Sequence, residues 1–454
     1  MPAAAIPTVL LALAAAVAFA LRKRVRDVAV LSLLALAAAM VVIALLPDDA
    51  RGEVFALPLR LSPLARLASL VSLGTLLLLV VDVWLGEPAY NFFPTSLGIG
   101  AALTAVLLLV TPLALYAALL AALLLPIGSF VFQVQRNRSV EAALRHFGFV
   151  ALGGCLGLSA LALAARLPHD EPANTFVLLV VILIVAFALK LAAIPFHTHA
   201  SLLAAEAPTA ALALYFGVLV PATFIAFVEI LTLSGLLPAI VQVAKVPELL
   251  LGLGLVSALG GSLLATGAGD LRRLVVCSVI SNVGVALVGL STLSGPGIVG
   301  GIAVVLVTGV CATQQLIAAG ALERRAAGGQ PAADRAPLAA AAFVAGGVGI
   351  IGAPPLLGFP GHFFVELIAY SYASWLGAAL VLATLALLLA QVRAGIALFS
   401  SAAGRGWTIE RRPVAGLVGL AIFAMLLAGG VMPEPFLRPI SAFADEFLRA
   451  LRPL

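Results

Sequence analysis

The residue with the clearest chemical potential is a lysine inside a long apolar stretch. Lys190 stands in V-A-F-A-L-K-L-A-A-I-P-F-H-T-H, five residues before Pro195. An ammonium group near the centre of a bilayer costs several kcal/mol unless it is paired, hydrated or neutral. A side chain that is held there and exchanges a proton is suited to proton transfer; the alternative is a lysine whose flexible chain reaches the membrane surface.

Two histidines and a glutamate follow that proline, at His197, His199 and Glu206. Neutral imidazole carries a proton on one ring nitrogen and accepts one on the other, so both histidines are candidates for a proton relay. His199 could instead cap the break or face solvent, and Glu206 could be only a carboxylate near a helix start. The H-x-H spacing does not predict a metal site, because no third ligand is nearby in sequence. We predict no cofactor.

A second proline-rich stretch carries a similar group of side chains. It reads G-A-P-P-L-L-G-F-P-G-H-F-F-V-E, with Pro354 and Pro355 at the break and His362 and Glu366 after it. The spacing of four residues places the histidine and the glutamate on one helix face, where they can titrate together or form a buried pair with no transport role. Glu229 is a further carboxylate within an apolar segment.

The composition of the chain requires a membrane as solvent. Hydrophobic residues make up 63% and charged residues 10%, and the mean hydropathy is +1.21. Apolar runs of about 20 residues, enough to cross a bilayer as helices, recur along the sequence. The candidate helices lie near residues 3–21, 27–46, 62–85, 96–111, 113–133, 140–165, 174–204, 208–233, 247–267, 271–293, 297–322, 336–370, 372–400 and 412–431. These runs predict an all-α polytopic membrane protein with about fourteen transmembrane helices.

The seventh and twelfth segments are over-long and are interrupted by proline, which indicates broken helices. Their spacing of five helices predicts two inverted five-helix repeats, as in transporters whose interrupted helices mark the ion path. The predicted organisation has four parts: residues 1–95 with helices 1 to 3, residues 96–233 with the first repeat (helices 4 to 8), residues 247–400 with the second repeat (helices 9 to 13), and residues 412–454 with the last transmembrane helix and an amphipathic helix. The amphipathic stretch, Phe436 to Leu451, is expected to lie on the outer surface.

Basic residues set the expected orientation. Most lysines and arginines fall on one side of the bilayer if the N-terminus is outside, beginning with the cluster Arg22, Lys23, Arg24 and Arg26. The positive-inside rule therefore predicts a multi-pass protein of the cell inner membrane with both termini outside.

The sequence does not predict a metal or iron–sulfur site, a dinucleotide site or a nucleic-acid site. The cysteines Cys155, Cys277 and Cys311 lie in apolar segments and lack the C-x-x-C spacing of metal or cluster ligands. The string G-V-G-I-I-G at residues 347–352 matches a dinucleotide fingerprint, but no strand precedes it. The net charge of +5 is spread over short loops, so we expect no nucleic-acid partner.

Three motifs in order resemble one family. They are K-L-A-A-I-P-F-H followed by E-A-P-T, D-L-R-R-L with S-V-I-S-N-V-G, and G-A-P-P-L-L-G-F, within residues 108–399. The sequence resembles the antiporter-like membrane subunits of respiratory complex I (NADH-quinone oxidoreductase chains M and N), membrane-bound hydrogenases and multisubunit cation/proton antiporters. The resemblance implies fourteen helices with inverted repeats and broken helices 7 and 12. It also implies proton translocation along an intramembrane polar axis that is driven by partner subunits.

Carried over by position, Lys190 falls on the family's helix 7 lysine, and His362 falls where helix 12 usually has lysine or glutamate. The family's helix 5 glutamate corresponds to Ala121 and its helix 8 lysine to Val220 or a neighbour. Glu229, at a position where the family has an arginine, is a candidate substitute partner for Lys190. The family's helix 10 histidine and the polar residues of its helix 11 are represented by Asn282, Thr308, Thr313, Gln314 and Gln315.

These features leave three hypotheses open. The first is a proton-translocating subunit of a redox-driven complex, itself without redox groups and assembled with other membrane and hydrophilic subunits. The second is a non-pumping scaffold or a single half-channel in such a complex. The third is a stand-alone secondary cation/proton transporter, for which the few intramembrane carboxylates offer little cation coordination.

Overall fold

The structure is a computed structural model and describes residues 3–54, 56–86, 91–132, 138–167, 173–238, 245–326, 333–400 and 413–451. Its first half contains α1 (Ile6–Ala20), α2 (Val25–Leu45), β1 (Ala50–Val54), β2 (Leu57–Leu61), α3 (Pro63–Leu85), α4 (Phe92–Leu108), α5 (Pro112–Phe132), α6 (Ser139–Ala164), α7 (Ala173–Lys190), α8 (Thr198–Glu206), α9 (Thr209–Leu212) and α10 (Val220–Leu233). Its second half contains α11 (Lys245–Thr266), α12 (Leu271–Ser291), α13 (Gly295–Arg324), α14 (Pro337–Ile350), α15 (Gly358–Tyr372), α16 (Ser374–Ser400), α17 (Val414–Val431) and α18 (Glu434–Ala450).

Helices dominate the described residues, and ten of them are long and apolar enough to cross a membrane. The three spans Thr209–Leu233, Leu271–Ser291 and Gly295–Arg324 fill the centre, where their residues are almost entirely buried. The spans α1, α2, α6, α16 and α17 surround them and expose much of their apolar surface. This arrangement suits a lipid-facing rim around a packed core, and it confirms the prediction of a polytopic helical membrane protein.

Both proline-rich segments interrupt helices. The first break runs from the end of α7 at Lys190 to the start of α8 at Thr198, with Ala192 at a φ of 53°. The second runs from the end of α14 at Ile350 to the start of α15 at Gly358, with Gly352 at a φ of 68°. Proline ends a helix because it lacks the N–H that the next turn requires. Each break therefore leaves helix-end carbonyl groups in the interior of the bundle.

A π-helical segment, Ala213–Leu219, joins α9 to α10 and is fully buried. A π-turn changes which face of a helix its side chains occupy and is often found at functional sites. Here it turns Tyr215 towards α7 and Gly217 towards α13.

A short hairpin was not anticipated from the sequence. Strands β1 and β2 pair antiparallel, and Arg60 on β2 bonds to Asp49 at 2.9 Å and to Glu446 on α18 at 2.8 Å. The amphipathic C-terminal helix α18 buries Ile440, Phe443 and Phe447. It packs against α3 and α13, so its apolar face covers other helices of the same chain. The position of Phe436 to Leu451 on the outer surface stays a prediction.

Some basic residues used for the orientation lie outside the described residues. They are Arg136, Arg405, Arg411, Arg412 and Arg452. The described cluster Arg22 to Arg26 lies in the turn between α1 and α2.

Candidate functional site

Lys190 is the last residue of α7 and is fully buried, so the structure does not place its side chain at the membrane surface. Its Nζ donates hydrogen bonds to the Tyr116 hydroxyl and, at 3.3 Å, to the Ala186 carbonyl. The same nitrogen lies 4.5 Å from the centre of the Tyr116 ring. Within the part of the chain that the structure describes, no carboxylate forms an ion pair with Lys190. The partners of this amine are therefore neutral.

Glycines on α6 make the approach of Tyr116 and Lys190 possible. The Tyr116 hydroxyl donates to the Gly153 carbonyl at 2.5 Å. A Cβ on Gly153 would lie 3.0 Å from Lys190 Nζ and 2.8 Å from the Ala186 carbonyl, and a Cβ on Gly157 would overlap the Tyr116 ring. Because glycine has no side chain, these two positions leave space for the phenol of Tyr116.

On α5, the residue that contacts Lys190 is not the one at the position of the family's glutamate. Counting back from Pro126 gave Ala121, where that acid is missing; Ala121 is exposed on the rim, whereas Tyr116 on the same helix is buried. One signal was available, since Tyr116 is a lone hydroxyl in the apolar run L-A-L-Y-A-A-L-L. Buried tyrosine generally needs a hydrogen-bond partner, and here that partner is the amine.

A line of aromatic side chains continues from Lys190 into the core. The Tyr215 hydroxyl donates to the Lys190 carbonyl at 2.6 Å, and its ring meets His146 edge-on with centroids 4.5 Å apart. The rings of His146 and His199 follow, with centroids 5.4 Å apart and an angle of 35° between them. His146, on α6, was not singled out from the sequence, because nothing local to it indicates a neighbour 53 positions away on α8.

His199 is fully buried and has one defined hydrogen bond. Its Nδ1 lies 3.0 Å from the Phe196 carbonyl, which only accepts, so Nδ1 carries the hydrogen. Its Nε2 is buried without a partner among the described residues. That nitrogen is then free to accept a proton. His197, at the N-cap of α8, is half-buried, and its Nδ1 also has no partner in the described ranges.

Glu206 ends α8 and is half-buried, away from the Lys190 pocket. It lines an open cavity of about 410 Å³ together with Arg138, Ser201 and Arg273. The structure therefore places Glu206 at the wall of this open cavity, next to the start of α6.

Glu229 lies on α10 and is not brought to Lys190. The charges that act on it are those of Glu446 on α18 and Arg60 on the hairpin. The substitute pairing with Lys190 is therefore absent from this structure, because Glu229 faces the hairpin end of the bundle.

The second break holds His362 and Glu366 on α15. His362 is buried next to Gly352, where an added Cβ would collide with the imidazole, and its Nδ1 has no partner among the described residues. Glu366 is half-buried and accepts a hydrogen bond from Thr384 on α16 at 3.0 Å. No ion pair joins the two side chains within the described residues. Pro195, Pro354 and Pro355 contribute no polar side chain, and Pro355 supports the break by contact with Gly430.

Neutral amides fill the centre of the second half. Asn282 on α12 donates to the Ile350 carbonyl at 2.7 Å and to Thr308 on α13 at 2.8 Å. On α13, Gln314 donates to the Ala342 carbonyl at 3.0 Å, and Gln315 donates to the Phe343 carbonyl at 3.1 Å. Three carboxamides thus point their N–H groups at the backbone of α14.

These carboxamide contacts reach one further helix, α16. Gln315 also donates to Gln391 on α16 at 2.9 Å, and Gln391 donates to Ser278 on α12 at 3.2 Å. A Cβ on Gly347 would lie 2.6 Å from the Gln391 oxygen, so that glycine leaves room for the contact. This set of residues ties α12, α13, α14 and α16 together without a charge, and we call it the amide network: Ser278, Asn282, Thr308, Gln314, Gln315 and Gln391.

Val220 stands at the position of the family's helix 8 lysine, and it is buried in an apolar setting. Thr313, one of the polar residues at the family's helix 11 positions, lies against Gly217 of the π-helical segment. In the described ranges no group of three or more His, Cys, Asp or Glu side chains is arranged to hold a metal ion.

Similar proteins fit this architecture. A family model described as NADH:quinone oxidoreductase/Mrp antiporter, transmembrane, matches residues 143–388. The NADH-quinone oxidoreductase subunit 13 of Thermus thermophilus is 31% identical over 217 residues, which is 46% of this chain and 45% of that relative. Subunit M of Rickettsia conorii is 27% identical over 184 residues, covering 39% of this chain and 36% of the relative. The chain thus matches less than half the length of these relatives.

Solved structures extend the similarity in fold to nearly the whole chain. A chain of respiratory complex I from Thermus thermophilus superposes with a TM-score of 0.86 at 22% identity, covering 99% of this chain and 100% of that one. A chain of the Mrp complex from a Dietzia species gives a TM-score of 0.84 at 18% identity, with coverage of 99% and 100%. Because the family model accounts for more than half of the sequence, this protein belongs to the NADH:quinone oxidoreductase/Mrp antiporter family of transmembrane proteins.

Proposed function

We propose that this chain is a proton-translocating antiporter-like subunit of a complex I-type or related hydrogenase-type redox-driven membrane complex. The observation that carries the proposal is Lys190, a fully buried amine held by a phenol and a carbonyl, without a described counter-ion. An isolated charge is costly in hydrocarbon, whereas a group that gains and loses a proton with the state of its surroundings is useful there. Lys190 is proposed as the group that receives and passes on the proton.

The contacts around Lys190 bring several titratable groups close together. Tyr116 bonds to its amine, whereas Tyr215 donates to its backbone carbonyl, which carries no proton, and packs edge-on against His146, which faces His199. A ring separation of 5.4 Å between the histidines is compatible with proton exchange through one intervening water. Glu206 lines the open cavity and His197 is the N-cap of the helix that carries His199, and we propose these two residues as the path by which protons reach His199.

The finer architecture belongs to the same proposal. Ten helices are long enough to span a membrane and four apolar helices are shorter, and we propose that these together are fourteen transmembrane segments. We assign residues 96–233 and 247–400 to two inverted repeats, each with one broken helix, flanked by residues 1–95 and 412–454. Both termini are proposed to lie outside the cell inner membrane.

Partners are proposed from what the similar proteins are part of. The relatives are subunits of NADH-quinone oxidoreductases, and the structural neighbours belong to respiratory complex I, an Mrp complex and a membrane-bound sulfane sulfur reductase. We propose that this chain also assembles with other membrane and hydrophilic subunits that hold the redox centres.

One observation favours a second candidate, a subunit that conducts through only one half or serves as scaffold. The amide network carries no titratable group, and Val220, at the position of the family's helix 8 lysine, is apolar. Protons cannot be stored on a carboxamide at neutral pH. In this candidate the second half holds the complex together while the first half, if active, exchanges protons alone.

Proton flux in the reconstituted complex with Lys190→Ala tests the proposal. We expect a loss of more than about tenfold with intact assembly, since a group required for transfer has been removed. Arg393→Ala, which removes an exposed cation of α16, is the matched control and should leave flux unchanged. Unchanged flux in a fully assembled Lys190→Ala complex would refute translocation through Lys190 and favour the scaffold.

A further inference from the structure

The turn between α1 and α2 concentrates positive charge at one edge of the bundle. Arg22, Lys23, Arg24 and Arg26 fall within five residues, directly after the span Ala3–Ala20 and at the start of the span Val25–Leu45. Since both neighbours are membrane spans, these four cations lie at the boundary between hydrocarbon and water. We call them the basic turn.

The basic turn lacks the acidic partners that other arginines have. Arg138 and Arg145 share Glu141, Arg272 pairs with Glu323, and Arg273 pairs with Asp270. None of the four cations of the basic turn forms an ion pair in the portion of the chain that the structure covers. Asp27 follows the four cations in the first turn of α2, so the net charge of this cluster is +3, which creates a strong local attraction for anions.

The shape and the flanks of the turn fit one class of anion. Residues 19–24 line a surface cavity of about 360 Å³, and the Arg22 guanidinium lies 4.3 Å from the Phe19 ring centre. Below it, Val17 and Leu34 belong to the exposed apolar surface of α1 and α2, which is open to acyl chains. The basic cavity can thus hold a charged headgroup, and the adjacent apolar surface of α1 and α2 can contact acyl chains.

We propose that the basic turn binds the phosphate headgroup of an anionic phospholipid, whose acyl chains lie along α1 and α2. An acidic protein segment would satisfy the charge but not the continuous apolar surface beneath it. Clusters of lysine and arginine next to a transmembrane helix attract anionic lipid by about 1 kcal/mol per cation, which corresponds to about fivefold in affinity. This site is independent of proton transfer through Lys190.

Native mass spectrometry of the full chain, with phosphatidylglycerol or phosphatidylcholine added to the purified protein, measures the proposed binding. We expect retention of phosphatidylglycerol over phosphatidylcholine, and a loss of that preference of more than about tenfold when all four cations are changed to glutamine. The matched control removes four dispersed exposed arginines by Arg51→Gln, Arg166→Gln, Arg438→Gln and Arg449→Gln. It should keep the preference.

The basic turn also favours one orientation of membrane insertion, so the fourfold variant could insert incorrectly. The single variants Arg22→Gln and Arg24→Gln avoid this problem and provide a second measurement. Each keeps three cations and should weaken phosphatidylglycerol retention by about fivefold. Equal retention by the native chain, the single variants and the fourfold variant would overturn the proposal. So would loss of a partner subunit from the fourfold variant's complex with its lipid content unchanged, since that result assigns the turn to an acidic protein.

Discussion

The two broken helices lead to chemically different surroundings. At the first break, the Lys190 amine bonds to the Tyr116 hydroxyl, and the Lys190 carbonyl accepts from Tyr215, which packs against one of a pair of histidines. At the second break, His362 lies against Gly352, Glu366 accepts from Thr384, and the nearby backbone of α14 accepts from carboxamides. Similar helix interruptions therefore adjoin a buried amine in the first half and a neutral amide network in the second, where the two titratable side chains form no ion pair in the described residues.

This difference shows that a broken helix is not by itself a proton site. A break leaves carbonyl groups without helical partners, and the neighbouring side chains determine which donors hydrogen-bond to them. The Ile350 carbonyl is used by Asn282 to bind helices together, whereas the Lys190 carbonyl receives a phenol that also contacts a histidine. The comparison can be tested by changing each environment separately.

The largest effect is expected from Gly157→Ala on α6. The added methyl overlaps the Tyr116 ring and must push the phenol away from Lys190. Overpacking of this kind costs about 1–3 kcal/mol, and we expect proton flux to fall by more than about tenfold. Gly148→Ala is the control on the same helix, because a Cβ there meets nothing within 4 Å. Equal flux in the two variants would show that the position of Tyr116 is unimportant.

Tyr116→Phe removes only the hydroxyl that bonds to Lys190 and Gly153. The loss of one buried hydrogen-bond partner is worth about 1–2 kcal/mol, so flux should fall by about five- to thirtyfold while assembly is retained. Measurement in reconstituted vesicles, with subunit composition checked by gel, distinguishes transfer from assembly. A proton flux equal to that of the native protein would show that the Tyr116 hydroxyl is not needed for proton transfer.

Gln391→Leu probes the amide network. The change leaves Gln315 and Ser278 without their partner, so we expect the free energy of unfolding to fall by about 1–3 kcal/mol. Flux per assembled complex should stay within about twofold of the native value, as the contribution of a neutral hydrogen bond is mainly structural. A tenfold loss of flux at native stability would make the second half part of the proton route.

The smallest effect is expected at the contact between hairpin and C-terminal helix. The hydrogen bond that Arg60 donates to the Glu446 carboxylate raises the pKa of Arg60, so the guanidinium stays charged at any pH at which the protein is studied. Since both side chains are partly exposed, Glu446→Gln should cost at most about 1 kcal/mol of stability, and less in high salt. Glu434→Gln, on the same helix and exposed, is the control for thermal unfolding. A larger, salt-independent cost would mean that the pair is structurally dominant.

The sequence was informative where local pattern decides structure. Apolar runs and prolines were sufficient to place the spans, both breaks and Lys190, because bilayer thickness and the missing proline N–H act locally. The hairpin was missed, since its strands at 50–61 are short and their pairing with Glu446 spans most of the chain. Membrane hydropathy has no signal for such a contact.

The partners of Lys190 show why the site itself was only partly predictable. Tyr116 is 74 positions away, and the π-helical segment determines that Tyr215 faces α7. Counting from Pro126 gave Ala121 as the position where the family's helix 5 acid is missing, and the suggested substitute carboxylate was Glu229, which lies near Arg60 of the hairpin and Glu446. Tyr116 was not found, because the face that a residue occupies depends on helix packing, which spacing from a proline does not specify.

The most direct measurement compares Lys190→Met with Gln315→Met in the same reconstituted complex. Both native residues are fully buried, and both changes introduce the same unbranched apolar side chain. We predict that Lys190→Met lowers proton flux per assembled complex by more than about tenfold, whereas Gln315→Met retains at least about half of it. Equal losses, or a larger loss in Gln315→Met, would contradict proton transfer through Lys190 and a structural role for the amide network.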